Sequence, residues 1–187
     1  MSSYGWYLAF LGLLGLERLF ELRLSARHAR AALAEGAREV GQANYVAMVA
    51  LHTAFLGAAA LEPWVLERPF PGWPGWVALG AAAGAQGLRY WAVASLGSRW
   101  NTRVIVLPEA PPVTGGPYRY LRHPNYLAVV VELAAVPLIH GAWLTAVGFS
   151  LANAGVLAWR IRVEEAALGP RWEAAFAGRS RFIPRGK

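Results

Sequence analysis

The chain has 187 residues, of which 56% are hydrophobic and 16% are charged, and its formal net charge is +7. A soluble domain typically carries about 25% charged residues, so the composition favours a membrane protein. A basic chain is also typical of nucleic-acid binding, and the positions of the arginines have to separate the two classes. The absence of cysteine excludes disulfides, thiolate nucleophiles and cysteine metal sites.

Five segments approach the roughly 20 apolar residues that a helix needs to cross a bilayer. They cover about 4–24, 43–66, 74–96, 124–140 and 143–160. Little more than residues 140–142 separates the last two, which predicts a helical hairpin. The predicted fold is therefore all-α: one polytopic membrane domain (1–187) with five transmembrane helices and a short cytoplasmic C-terminal tail.

The basic residues predict the orientation of this domain. Most of the 18 lie after the first span, between the third and fourth spans, or in the tail, whereas the opposite loops hold only Arg68. The positive-inside rule then places the N-terminus outside and the C-terminus in the cytoplasm, as in a bacterial inner-membrane protein. This bias explains the net charge without a nucleic-acid partner, so none is expected.

Small and aromatic residues indicate how the spans pack. Gly80 and Gly84 form a small-xxx-small pair in the third span, which predicts a close helix contact. Tryptophans near the span ends are typical of an aromatic belt at the membrane surface. They are Trp64, Trp73, Trp76, Trp91, Trp100 and Trp143.

A first polar cluster, YRYLRHPNYLAV (118–129), stands directly before the fourth span. Two glycines and Pro117 before it predict a turn, and Pro124 suits the first turn of a helix. His123 then falls near the N-cap, beside backbone N–H groups that favour a carboxylate or another anion. A basic, aromatic anchor at the membrane surface explains the same residues, and spacing alone does not separate the two readings.

A second polar cluster lies at the cytoplasmic end of the fifth span. Arg160 and Glu164 are four residues apart, and Arg162 and Glu165 are three apart, so each pair could interact along a helix. Arginines that snorkel to lipid headgroups are the alternative. Because a hairpin brings both clusters to the same side of the membrane, their convergence favours an active site.

Other kinds of catalytic site find no support in the sequence. No glycine-rich phosphate loop follows a strand, no strand is predicted, and no serine lies in a nucleophile elbow. The four histidines have no metal-ligand spacing, so no metal is expected. They are His28, His52, His123 and His140.

The motifs VTGGPYRYLRHPNYLAV (113–129), RIRVEEAALGPRWEAAF (160–176) and a terminal RFIP resemble the isoprenylcysteine carboxyl methyltransferase (ICMT) family. Its members are integral membrane enzymes that use S-adenosylmethionine. The resemblance covers about 86–184 and implies a catalytic core at about 86–187. The N-terminal half resembles a bacterial subgroup, the YpbQ type, whose members are thought to O-methylate alkylpyrones. Phospholipid N-methyltransferases share a looser version of the motifs.

The resemblance also implies roles for particular residues. Those that it assigns to the cofactor S-adenosylmethionine are His123, Tyr126, Glu164, Tyr120 and Arg122. Arg160 and Glu165 match the arginine and the acid that the family needs for catalysis. The tail departs from the eukaryotic pattern, since it is shorter and has Trp172 and Phe176 where tyrosines are common.

Chemistry narrows the function that the resemblance implies. Methyl transfer from a sulfonium needs a nucleophilic oxygen held close to the methyl carbon. The planar guanidinium of Arg160 could hold a carboxylate or an enolate with two hydrogen bonds, and Glu165 would orient that guanidinium or hold the ammonium of the cofactor. An S-adenosylmethionine-dependent O-methyltransferase is therefore predicted, acting on the acidic oxygen of a lipophilic molecule such as an alkylpyrone or an isoprenylcysteine.

The predicted acceptor enters the enzyme sideways from the bilayer, among membrane lipids. Two other functions stay open at this point: a phospholipid N-methyltransferase, and a non-catalytic membrane scaffold that binds a lipid or a protein. The polar residues of the first span have two readings as well, either selection of the acceptor or an ion pair at the membrane edge. They are Glu17, Arg18, Glu21 and Ser25.

Overall fold

The structure is a computed structural model that describes residues 2–108 and 110–183. Its long helices are α1 (Ser3–Ala34), α2 (Gln42–Val65), α3 (Trp73–Leu96), α4 (Pro124–Leu138) and α5 (Trp143–Ala175). Two strands, β1 (Arg38–Val40) and β2 (Val104–Val106), and two 3-10 turns, Gly97–Arg99 and Gly116–Arg119, lie between them. The mostly helical fold is confirmed, and each predicted span overlaps one helix. Arg185, Lys187 and the proline of the terminal RFIP lie outside the described residues.

Two of the helices, α2 and α5, are long and apolar enough to cross a membrane, and α4 is a shorter apolar helix. Large apolar side chains cover the outside of the molecule, including Leu13, Phe20 and Val46, each about two thirds exposed. Many exposed large apolar side chains are typical of a protein that lipid surrounds. Five membrane crossings stay a prediction.

The helices α1 and α5 are longer than the predicted spans. α1 continues to Ala34, and α5 continues beyond Arg160 to Ala175 with a kink at Gly169 (φ 72°) that Pro170 follows. A positive φ is accessible to glycine at little steric cost, and proline removes a helical hydrogen bond, so this pair redirects the chain. The kink turns the end of α5 back towards the start of α4.

The close contact between α3 and α4 uses alanines rather than the predicted glycines. Ala78 and Ala82 are buried in one core cluster with Leu133 of α4. A side chain added at Gly80 or Gly84 would meet no atom within 4 Å. The predicted glycine contact is therefore wrong within this chain, because positions two residues away from the alanines lie on a different face of the helix.

A two-stranded antiparallel sheet joins the linkers before α2 and after α3, and pairs Arg38 with Val106 and Val40 with Val104. The sequence did not predict these strands, because three residues are too few to show an alternating pattern. Arg103 beside β2 forms an ion pair with Glu39 of β1 at 3.1 Å. The sheet fixes the loop that precedes β2, and this loop contacts the candidate site.

Candidate active site

A cavity of about 1080 Å³ extends along the inner side of α1 and into the region between α4, α5 and the tail. The residues of α1 and its C-terminal end that line it run from Gly15 to Glu35, a distance of about 30 Å at 1.5 Å per residue. Small-molecule sites usually enclose about 300–1,000 Å³. This cavity therefore has room for two small ligands at once.

The segment that leads into α4 is anchored on α3. Gly116 has a φ of +57°, and a Cβ atom there would lie 2.0 Å from Oγ of Ser95, so only glycine fits. The predicted turn before Pro117 is confirmed. Tyr118 follows it into a buried cluster with Trp172. Burial raises the pKa of the Tyr118 hydroxyl well above its usual value, so this hydroxyl is neutral.

His123 is the N-cap of α4, as predicted, but the C-terminal tail partly covers this helix end. The backbone N–H groups of Arg122 and His123 donate to the carbonyls of Ser180 (2.9 Å) and Arg181 (3.3 Å). The N–H of the N-cap is therefore already used, and those of Tyr126 and Leu127 donate to the carbonyl of His123 at 3.1 Å each. Asn125 in the first turn lines the cavity, and its buried Oδ1 has no hydrogen-bond partner among the described residues.

Arg160 is the most buried charge of the site, with 3% exposure. Its Nε donates to the Tyr126 hydroxyl at 2.9 Å, and its Nη2 donates to the carbonyl of Thr102 at 2.7 Å. Nη1 is buried without a hydrogen-bond partner in the described part of the chain. The protein thus fixes the plane of the guanidinium and leaves one nitrogen, Nη1, without a protein partner in a side chain that lines the cavity.

A row of stacked groups connects this arginine to the tail. Arg160 lies over the Tyr126 ring, the Tyr126 and His123 rings are 5.1 Å apart and nearly parallel, and Trp172 lies 5.5 Å from His123. Phe176 closes the row at 4.7 Å from Trp172. Sequence reasoning missed Trp172 and Phe176 as parts of the site, although two aromatic residues four apart on a helix share one face.

The two adjacent glutamates of α5 have different surroundings. Glu164 lines the cavity and accepts a short hydrogen bond from the Tyr126 hydroxyl. Glu165 instead accepts from Nε of Arg181 at 3.0 Å and contacts Nε2 of His123 at the same distance. Hydrogen bonding to Glu165 raises the pKa of Arg181, so this guanidinium stays charged.

The direct ion pairs expected at this end of α5 are not observed among the described residues. Arg160 reaches Glu164 only through the Tyr126 hydroxyl, because its guanidinium points towards α4 and the loop before β2. Glu165 does not contact Arg160, since its carboxylate is bound by His123 and Arg181. The carboxylate connected to the arginine is therefore that of Glu164.

The remaining two predicted cofactor residues lie in different places. Arg122 lines the cavity, lies over the ring of Trp172 and donates from Nε to the carbonyl of Arg179 at 2.7 Å. Tyr120 is 52% exposed and contacts Arg119 on the surface. Its ring lies outside the cavity, so Tyr120 does not join the other residues of the site.

Comparison with known proteins identifies the family of this chain. Residues 77–170, half of the chain, match the sequence model of the isoprenylcysteine carboxyl methyltransferase (ICMT) family. The chain belongs to the ICMT family. It is 33% identical over 159 residues to the uncharacterized protein YpbQ of Bacillus subtilis, covering 84% of this chain and 94% of that one. It is 30% identical over 152 residues to an uncharacterized Haemophilus influenzae protein, covering 81% and 88%.

Family membership establishes a membrane protein with methyltransferase activity, of the bacterial YpbQ-like kind. The matched segment runs from α3 to the kink of α5, so it includes His123, Tyr126 and Arg160. α1 and α2 lie outside that segment, yet both contribute to the cavity. In this ICMT-family protein, residues within the matched segment and residues before it therefore line the same cavity.

Proposed function

We propose that this ICMT-family protein is an S-adenosylmethionine-dependent O-methyltransferase whose acceptor is a lipophilic molecule with an acidic oxygen, such as an enol or a carboxylic acid. One observation carries the proposal: Arg160 lines a cavity large enough for two ligands, and its buried, pre-oriented guanidinium has one nitrogen without a partner among the described residues. A planar cation of this kind suits a planar anion better than a neutral or cationic head group.

The residues of the wider cavity fit S-adenosylmethionine. Asn125 offers an unpartnered Oδ1, which accepts from an ammonium or an amino group, and Tyr118 offers a neutral hydroxyl. Trp172 and His123 supply apolar ring surface beside them. When bound, the cofactor supplies an electrophilic methyl group on a positively charged sulfur.

The residues around Arg160 determine which oxygen reacts. Nη1, which has no partner among the described residues, is assigned to the acceptor oxygen, while Tyr126 and Thr102 keep the guanidinium from rotating. Such fixed positioning lowers an activation barrier by several kcal/mol. An acidic acceptor is already ionised, so a bond from its oxygen to carbon forms as the carbon–sulfur bond breaks, and both charges disappear without a general base.

In this proposal Glu164 and Glu165 act through other residues. Glu164 accepts from Tyr126 and so fixes the hydroxyl that holds Nε of Arg160. Glu165 keeps His123 against the rings of Tyr126 and Trp172 and fastens the tail through Arg181. Both are positioning residues, and Arg160 is the residue that contacts the acceptor.

The acceptor reaches the site from the bilayer, between α1 and α2. Leu19 of α1 and Thr53 of α2 both line the cavity, and both side chains are exposed. An apolar chain can therefore lie with one end in lipid and the other at Arg160. In the orientation favoured by the arginines, with the N-terminus outside and the C-terminus inside, the site faces the cytoplasm of a bacterial inner membrane.

The two alternatives fit these contacts less well. The amine of a phospholipid must lose a proton before it attacks, and Arg160 would repel its charged form. A non-catalytic scaffold needs no guanidinium held rigidly on three sides by Tyr126, Thr102 and buried surface. One experiment distinguishes both alternatives from the proposed function.

That experiment incubates the protein, purified in nanodiscs, with radiolabelled S-adenosylmethionine and three acceptors: an alkylpyrone, a farnesylated cysteine and phosphatidylethanolamine. We expect label in the alkylpyrone or the farnesylated cysteine and none in the phospholipid. Label in phosphatidylethanolamine alone would overturn the proposed role of Arg160. No label in any acceptor, together with no cofactor binding by calorimetry, would favour the scaffold.

A further inference from the structure

A second group of polar side chains, all but one of them charged, lies between α1, α3 and α4, away from Arg160. We call it the inner charge cluster; it consists of Glu17, Arg18, Glu21, Gln86, Arg89 and Glu132. Glu21, Arg89 and Glu132 are each at least nine-tenths buried. Buried ionisable residues in membrane helices are energetically costly and usually functional. The site proposed above does not use them.

The inner charge cluster has a back layer and a front layer. In the back layer, Glu132 accepts from Arg89 at 2.5 Å, and Glu17 and Gln86 both bind Arg18. In the front layer, the carboxylate of Glu21 lies 2.9 Å from Arg18 and 3.6 Å from Arg89. The back layer therefore fixes the orientation of the groups in front of it.

Only the front layer lines the large cavity, through Arg18, Glu21 and Arg89, together with His52 of α2. Nε of Arg89 is buried without a hydrogen-bond partner among the described residues. The His52 ring bonds through Nδ1 to the carbonyl of Met48 at 2.8 Å, so the proton is on Nδ1 and a neutral ring leaves Nε2 as an acceptor. The wall of the cavity therefore offers guanidinium donors next to carboxylate and imidazole acceptors.

The spacing of residues along α1 and α4 gives an estimate of the distance between the front layer and Arg160. Ser25 of α1 bonds Thr102, which holds Arg160, and Arg18 and Glu21 precede Ser25 by about 6–10 Å of helix. On α4, Glu132 follows Tyr126 by about 9 Å. The estimate along α1 places the front layer roughly 6–10 Å from the level of Arg160, on the membrane side, and the position of Glu132 behind that layer agrees with it.

We propose that the acceptor carries a hydroxyl group on its apolar chain, about 6–10 Å from the oxygen that is methylated, and that the inner charge cluster binds this hydroxyl. This inference rests on the proposed function, because it places the reacting oxygen at Arg160. A hydroxyl both donates and accepts a hydrogen bond, and it therefore matches Glu21 or His52 on one side and Arg89 or Arg18 on the other.

A plain hydrocarbon chain fits this part of the cavity poorly. It would cover Arg89 and Glu21 without offering either of them a hydrogen bond, and unpaired buried polar groups are costly. A cluster that only tied the helices together would not need to open onto the cavity, and an apolar contact would serve as well. The front layer is therefore better explained as a binding subsite.

The test uses three enolic pyrones with the same chain: one unsubstituted, one with a hydroxyl at the proposed distance, and one with a hydroxyl at the chain end. Their dissociation constants are measured in nanodiscs by competition, and methyl transfer is measured separately. We expect the wild-type protein to bind the second compound about tenfold more tightly than the other two. His52→Phe and Glu21→Gln should bring this ratio close to one.

The matched control is Thr53→Val, because Thr53 lines the same cavity outside the inner charge cluster and its hydroxyl already donates to the carbonyl of Val49, so a change at this entrance position should affect the three compounds equally. This control should keep the ratio. Equal binding of the three compounds by the wild-type protein, or binding of none, would overturn the inference. So would a loss in His52→Phe and Glu21→Gln that affects all three equally, as expected of a purely structural cluster. Selective binding without methyl transfer would overturn the proposed function and leave the subsite standing.

Discussion

Arg160 is held through two of its nitrogens by the protein itself, which makes its shape as important as its charge. Tyr126 fixes Nε and the carbonyl of Thr102 fixes Nη2. Lysine would place one ammonium in this space and could not satisfy both partners and an acceptor in one plane. The arginine is therefore the residue at which a conservative change should affect chemistry most.

Arg160→Lys should lower the rate of methyl transfer at least about 100-fold, as removal of a fixed donor in an active site commonly does. The affinity for S-adenosylmethionine should change less than about threefold, because the free nitrogen is assigned to the acceptor. Single-turnover kinetics and calorimetry measure the two effects. Arg162→Lys is the control, since Arg162 is exposed two residues further along α5. A fully active Arg160→Lys variant would refute the planar contact.

His123 should affect the cofactor rather than the chemical step. Its ring lies between those of Tyr126 and Trp172, so His123→Ala would leave a gap in the row of stacked groups. We expect about tenfold weaker binding of S-adenosylmethionine, since a lost aromatic contact is worth about 0.5–1.5 kcal/mol in addition to lost surface burial. Calorimetry with Tyr120→Ala as the control tests this, because Tyr120 lies outside the cavity. Equal losses in both variants would contradict the placement of the cofactor.

The sequence indicated most of the residues of this site, but not how they contact one another. Glu164 and Glu165 are adjacent, so they point about 100° apart on a helix, and only the packing of α5 against α4 decides which of them meets Tyr126. Trp172 lies beyond the kink at Gly169, where the direction of the chain depends on a single φ angle. Local patterns contain neither piece of information.

Among the elements, the segment between α3 and α4 depends on a single backbone conformation. Gly116 has a positive φ and packs against Ser95, whereas its neighbour Gly115 has an ordinary extended conformation with open space around it. Substitutions at Gly116 and at Gly115 therefore distinguish the need for a positive φ from the general effect of replacing a glycine.

Gly116→Ala should destabilise the protein by at least about 1–3 kcal/mol, the usual cost of a strained backbone conformation, with a further contribution from the clash with Ser95. Thermal unfolding in detergent measures this, and Gly115→Ala should differ little from wild type. Because the segment positions His123, cofactor affinity should fall as well in the Gly116 variant. Equal stability of the two variants would show that the segment is not anchored in this way.

The helices of this protein were easier to predict than the strands that connect them. Long apolar runs between turn-forming residues located α2 and α3 to within a few residues. β1 and β2 depend on a pairing between distant linkers, and nothing within either three-residue strand predicts it. The extension of α5 beyond Arg160 was missed because its residues are charged and partly exposed. Such residues end an apolar run, but they do not end a helix.

For the whole molecule, the distribution of arginines predicts one orientation. A phosphatase or fluorescent reporter fused after the last residue should behave as cytoplasmic, and one inserted at Phe70, in the loop between α2 and α3, should behave as external. Matched fusions in a bacterial host test both positions. Reversal of both results would move the site to the outside, where cells do not maintain a pool of S-adenosylmethionine.

The division of the cavity wall between two parts of the chain has a consequence for how such enzymes diversify. The segment from α3 to the kink of α5 matches the sequence model of the family, whereas α1 and α2 form the wall along which the chain of the acceptor would lie. Changes in α1 and α2 can then retune acceptor choice while the machinery at His123 and Arg160 is inherited intact. A chimaera that takes residues 1–66 from a relative should therefore acquire the acceptor preference of its donor.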